Sequence, residues 1–185
     1  MVLVKTYTHP FDLPLEQTAL LIIDMQNDLC HPDGFNGSEL ALDLTAVRAI
    51  IPALQSLLAW ARKMGVKTIF TRESHASDLS DLSLSKQTRY ANAGSPIGQR
   101  GKMGRFLVRG EAGVAIINEL QPLPEEEQLD KPAHSCFVDT SLDQQLRTND
   151  ITHLIITGVT TECCVLATYR HASDLGYYCL LLDDC

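Results

Sequence analysis

The run Thr157-Gly158-Val159-Thr160-Thr161-Glu162-Cys163-Cys164-Val165 sets a thiol in the first turn of a helical pattern, directly after an apolar strand pattern over residues 153–157. Unpaired N–H groups and the positive end of a helix favour an anion there, so a thiol so placed is expected to ionise readily and act as a sulfur nucleophile. Two further reactive side chains follow strand patterns: Asp24 after the apolar run Ala19-Leu20-Leu21-Ile22-Ile23, and Lys131 after a weak pattern over residues 128–130. Ligands of open parallel sheets bind at the carboxyl ends of the strands. An acid, an ammonium and a thiol on one such edge can cooperate, with Lys131 favouring the thiolate and Asp24 carrying a proton between thiol, leaving nitrogen and water.

Two adjacent cysteines compete for the role. With Thr161 as N-cap and about 100° of rotation per residue, Val165, Thr168, Ala172 and Leu175 face the sheet, with Cys164 beside them. Cys163 shares the opposite side with Arg170 and Asp174. Cys164 is therefore the nucleophile candidate.

The elements that must position these groups alternate. Strand patterns over residues 19–23, 66–70, 128–130, 153–157 and 178–182 are separated by helical ones over 44–64, 112–120, 141–149 and 161–176. Unbroken apolar strands between helices predict a mainly parallel sheet covered on both faces, an α/β fold. The Gly- and polar-rich stretch from 73 to 110 is too long for a plain connection and reads as a covering loop.

At 185 residues and 45% hydrophobic, the chain can bury one full core. A formal charge of −8 argues against nucleic acid or anionic membrane as a partner. No apolar run approaches the roughly 20 residues of a membrane span, and the N-terminal residues lack a basic region followed by an apolar core. The six cysteines follow neither disulfide-scaffold nor zinc spacing. Reduced thiols in a cytoplasmic protein are the expectation.

Asp24 within Leu21-Ile22-Ile23-Asp24-Met25-Gln26-Asn27-Asp28, Lys131 within Asp130-Lys131-Pro132, and Gly158-Val159-Thr160-Thr161-Glu162-Cys163-Cys164-Val165 resemble the isochorismatase-like cysteine hydrolase superfamily. The resemblance spans nearly the whole chain in three ordered motifs. It implies a three-layer α/β/α sandwich, a catalytic triad of Asp24, Lys131 and Cys164, a cis peptide between Val159 and Thr160, and an oxyanion hole from the N–H groups of Thr160 and Cys164. A homo-oligomer is also implied. Thr71-Arg72-Glu73-Ser74-His75, Asp78-Leu79-Ser80-Asp81-Leu82, Gly104-Arg105 and Val108-Arg109-Gly110-Glu111 resemble the biuret hydrolase branch, whose neighbour is the ureidoacrylate amidohydrolases. The implied reaction is hydrolysis of a small linear ureide through a thioester, with biuret, giving allophanate and ammonia, as the leading substrate. Ureidoacrylate-type hydrolysis is the alternative, and a catalytically silent binding or assembly protein is the rival from another class. Arg72, Arg109 and Glu111 are pocket candidates, with ion pairs that hold the 73–110 loop as the equal alternative.

Three departures stand out. Ser74 replaces a usual glycine, and Ala133-His134-Ser135-Cys136-Phe137 stands where a Gly-rich linker is more common. The family also continues for several dozen residues past the strand near Asp183, so residues 1–185 read as one domain lacking that C-terminal segment. The Cys-x5-Arg spacing of Cys164 and Arg170 mimics a phosphatase but lacks the glycine-bearing phosphate loop. At the place where nicotinamidases bind zinc, Arg72-Glu73-Ser74-His75 is a poor ligand set. No metal and no cofactor are expected, and His75 is expected to hydrogen-bond within the loop.

Overall fold

The computed structural model describes residues 2–7 and 10–185; Met1, Thr8 and His9 of the 1–185 domain lie outside the described residues. In chain order the elements begin with the hairpin strands β1 (Val2–Val4) and β2 (Phe11–Leu13). Next come β3 (Thr18–Ile23), the short helices α1 (Asn27–Cys30), α2 (Phe35–Ser38) and α3 (Thr45–Ala49), α4 (Ile51–Met64) and β4 (Lys67–Glu73). Helix α5 (Leu84–Asn92), the hairpin β5 (Arg100–Gly101) and β6 (Gly104–Arg105), β7 (Glu127–Lys131) and α6 (Leu142–Thr148) follow. The chain closes through β8 (His153–Gly158), α7 (Leu166–Asp174) and β9 (Tyr178–Leu181).

The central sheet has five strands in the order β7-β4-β3-β8-β9, and every pairing in it is parallel. Its middle strand β3 is buried along its whole length, as a strand covered on both faces must be. Side chains alternate between the two faces. Leu20, Ile22 and Phe70 pack with Ile51, Leu54, Leu58 and Ala61 of α4 on one side. Leu21, Ile23 and Ile69 pack with α6 and α7 on the other, through Leu142, Leu146 and Ala172. The result is the α/β/α sandwich. Among the described residues no helix is long and apolar enough to cross a membrane.

Four sequence-based boundaries change. The helical pattern over 44–64 is two helices, because Pro52 in the first turn of α4 has no N–H to continue a helix arriving from α3. The pattern over 112–120 is two short 3₁₀ turns joined by extended backbone. There Ala115 accepts from the Asn27 N–H and Ile117 donates to Met25, at 2.8 and 2.9 Å, which uses the groups a helix would need. The pattern over 161–176 opens as a π-type turn, Thr161–Val165, before α7 begins. Finally, the 73–110 stretch is not plain loop: it carries α5 and the β5–β6 hairpin over a small core of its own, in which Phe35 stacks on Phe106 at 4.2 Å between centroids. Buried Asp28 ties that core down by accepting from the Leu107 N–H at 2.9 Å.

Candidate active site

Asp24, Lys131 and Cys164 meet at the carboxyl edge of the sheet. Asp24 is the first residue after β3 and is fully buried, in left-handed backbone with φ of 52°. A non-glycine residue there carries a local cost, tolerable for Asp, and it turns the carboxylate back under the strand ends. Thr71 of β4 donates to its Oδ1 at 2.7 Å. Its Oδ2 lies 2.7 Å from the Lys131 ammonium.

Lys131 ends β7 with none of its side chain exposed. Its Nζ donates to Ala133 O at 2.9 Å and to Cys164 Sγ at 3.4 Å, so one ammonium bridges acid and thiol. Cys164 lies in the π-type turn after β8 and is 4% exposed, whereas Cys163 is partly exposed. Burial would push the Lys131 ammonium down, but Asp24 and its other anionic neighbours outweigh it and hold the group well above the usual lysine range.

The thiol departs from the sequence expectation. Burial and the nearby Asp24 carboxylate push Cys164 well above the ordinary cysteine range, against the opposing pull of Lys131. Desolvation and the carboxylates outweigh the ammonium. Burial and Asp24 thus favour the protonated form of Cys164.

The structure adds a residue the sequence reading passed over. Glu73, at the end of β4, accepts from the Cys164 thiol at 3.2 Å through Oε2, which is also 3.7 Å from Lys131 Nζ. Its other oxygen, Oε1, lies 2.6 Å from Lys86 Nζ and accepts from the Tyr90 hydroxyl at 3.0 Å. Gln26 clamps its backbone from both sides at 2.7 and 3.1 Å. Burial opposes its charge, but His134, Lys131 and Lys86 together hold the Glu73 carboxyl well below the usual carboxylate range. Helix α5, invisible to hydrophobic periodicity because Lys86 is its one buried residue, delivers Lys86 and Tyr90 to this point. His134 completes the group, with Nδ1 3.6 Å from Cys164 Sγ and Nε2 3.0 Å from the exposed Arg89.

The three pocket candidates lie elsewhere. Arg72 neighbours Glu73 on β4 and so points to the other face, where it pairs with Asp130 at 2.9 and 3.1 Å. Arg109 pairs with Asp81, and Glu111 with Arg105 at 3.1 Å. They border one small cavity of about 130 Å³ whose lining includes none of Asp24, Lys131 and Cys164. No hydrogen bond or ion pair among the described residues joins them to those three. His75 is held within the loop segment, between Asp81 at 3.1 Å and Lys86 at 2.9 Å.

The 158–160 turn sits against β3. The Val159–Thr160 peptide is cis, and the Val159 N–H donates to Ile23 O at 2.9 Å. Gly158 has φ of +104°, and a Cβ there would collide with the Ile23 backbone. Gly158→Ala therefore combines a disfavoured backbone region with a clash that only movement of β3 or β8 could relieve. It is expected to lower unfolding free energy by about 2–4 kcal/mol. Urea denaturation checks this, and an unchanged midpoint would refute it.

Known proteins share this arrangement of strands. Residues 18–185 match the Isochorismatase domain. The chain belongs to the isochorismatase family. The ureidoacrylate amidohydrolase RutB of Pantoea ananatis is 32% identical over 173 residues, covering 91% of this chain and 68% of that protein. The same enzyme from Cronobacter turicensis is 31% identical, covering 91% of this chain and 74% of its own length. The crystal structure of a cysteine hydrolase from Pseudomonas syringae pv. phaseolicola matches with a TM-score of 0.81 at 26% identity, covering 100% of this chain and 76% of that one.

Proposed function

We propose that this isochorismatase-family chain is a cysteine-dependent amidohydrolase that cleaves a C–N bond of a small linear ureide, with Asp24, Lys131 and Cys164 as its catalytic residues. The observation that carries the reading is the single buried ammonium of Lys131 between the Asp24 carboxylate and the Cys164 sulfur. Cys164 Sγ attacks the ureido carbonyl while its proton passes to a carboxylate. The C–N bond breaks as that proton reaches the departing nitrogen, and water then hydrolyses the thioester and restores the thiol. The N–H groups of Thr160 and Cys164 are assigned to the oxyanion. Assembly into a homo-oligomer and a cytoplasmic setting belong to the same proposal.

The relatives at 31–32% identity are named for ureidoacrylate rather than biuret, which reverses the order of the two substrates given by the loop motifs. One feature of the site agrees: Arg89 and His134 stand together at its solvent side, a cationic place for the carboxylate of a ureido acid that neutral biuret lacks. The test is ammonia release from ureidoacrylate-type acids, biuret and nicotinamide, with Cys164→Ser as control. Release from the ureido acid at least tenfold faster than from biuret, and absent in the control, is expected. Faster release from biuret would restore the first order; release that persists in Cys164→Ser would overturn the mechanism.

A further inference from the structure

Glu73 at the end of β4, His134 after β7 and Cys164 after β8 bring one ligating atom each to a common point, all within 4.8 Å of one another. The edges of the triangle are 3.2 Å (Sγ–Oε2), 3.6 Å (Sγ–Nδ1) and 3.6 Å (Nδ1–Oε2). A tetrahedral zinc ion holds thiolate sulfur at about 2.3 Å and imidazole or carboxylate at about 2.0–2.2 Å, which spaces such ligands about 3.3–3.6 Å apart. The triangle already has the dimensions of one face of that tetrahedron.

We propose that Glu73, His134 and Cys164 form a binding site for a thiophilic divalent cation of the zinc type, and that occupation of the site silences Cys164. The silencing rests on the reading of Cys164 as nucleophile; the binding does not. Three segments supply the ligands: Glu73 Oε1 is engaged by Lys86 and Tyr90 and His134 Nε2 by Arg89, while Glu73 Oε2 faces the thiol and lies 3.7 Å from Lys131 Nζ. The side chain of His134 is 28% exposed while Glu73 is 3% exposed, so the ion enters past the imidazole. This set is distinct from His75, which faces Asp81 and Lys86.

Binding exchanges the Cys164 thiol proton for the ion, with the sulfur lone pair forming the new bond and the proton leaving to solvent. His134 then carries its proton on Nε2, so exposed Arg89 releases its 3.0 Å contact. Asp24 and Glu73 balance Lys131 and Lys86 in charge, and the ion plus thiolate adds one net positive charge beside two ammonium groups. That repulsion makes the site reversible rather than a permanent metal centre.

The test is a Co²⁺ titration of the full, reduced, metal-free chain, read by the thiolate-to-cobalt charge-transfer band, with ammonia release followed in the same samples. The expected result is a band that saturates at one equivalent, is bleached by Zn²⁺, is lost in Cys164→Ser, and needs at least tenfold more Co²⁺ in His134→Ala. A band of equal strength in Cys164→Ser, or one unmoved by both His134→Ala and Glu73→Gln, would overturn the site. His134 is partly exposed, so its variant reports even where Glu73→Gln fails to fold. A full band with undiminished ammonia release would overturn the role of Cys164 while leaving the site standing.

Discussion

Lys131→Met is expected to abolish turnover and to cost the fold about 3–5 kcal/mol at neutral pH, the usual penalty for removing one partner of a buried ion pair. The methionine fills most of the volume but leaves Asp24 without the ammonium at 2.7 Å and Glu73 without the one at 3.7 Å. Against the 5–15 kcal/mol typical of a whole domain, such a loss is large. The pH dependence follows from Glu73, whose carboxyl the folded protein holds below its unfolded value. A group so shifted adds stability above its unfolded pKa, and that contribution is lost as pH falls through the folded one. With one of its cations gone, Glu73 is no longer held as low, so the deficit of the variant is full near pH 7 and narrows only below the ordinary carboxylate range, towards about pH 3. Urea denaturation of both proteins at the two pH values measures it. Equal midpoints at pH 7 would remove Lys131 from the centre of the site, and adding Asp24→Leu to the variant should recover part of the loss.

Cys164→Ser should separate chemistry from stability. The hydroxyl occupies the same place and can donate to Glu73, so the unfolding free energy should move by less than about 1 kcal/mol. Turnover should fall by about three to six orders of magnitude, as when the nucleophile of a catalytic unit is removed. The parent thiol should also resist alkylation near neutral pH and react faster as pH rises past the ordinary cysteine range, because burial and Asp24 hold its proton on. Rapid alkylation of Cys164 at pH 6 would contradict the protonated resting state, and near-parental turnover in the serine variant would dismiss the sulfur as nucleophile.

The parallel sheet was legible because most of its strands are continuous apolar runs, and Asp24 and Cys164 were legible because each follows such a run, whereas β7 reads Glu-Gln-Leu-Asp-Lys and gave only a weak signal for Lys131. Position does not reveal protonation. The helix end and Lys131 argue for an easily ionised thiol, whereas burial, which depends on the whole fold, and Asp24 shift Cys164 the other way. For Arg72 the sequence leaves pocket and ion-pair roles equally open, and it does not single out Glu73, because nothing in a short motif says which of two neighbours on a strand faces inward. Register against β7 settles that, through Glu73 opposite Lys131 and Arg72 opposite Asp130. Helix α5 lacks an apolar stripe, since polar contacts of Lys86 and Tyr90 hold it in place. The pairing of Glu73 with Cys164 joins residues 91 positions apart, beyond what spacing can convey.

The ion pairs of Lys131 with Asp24 and Glu73 guard the sheet against misassembly. Strand β7 lies at the edge, held by β4 alone, and edge strands are the ones most free to slip. A shift of one residue turns every side chain of a strand to the other face. For β7 it would swing Lys131 outward and bring Asp130 in beside Asp24 and Glu73, crowding three carboxylates where one ammonium had joined two. The slipped sheet keeps its backbone hydrogen bonds yet is electrostatically forbidden. The charges beside Cys164 thus also fix the register of the edge strand against β4.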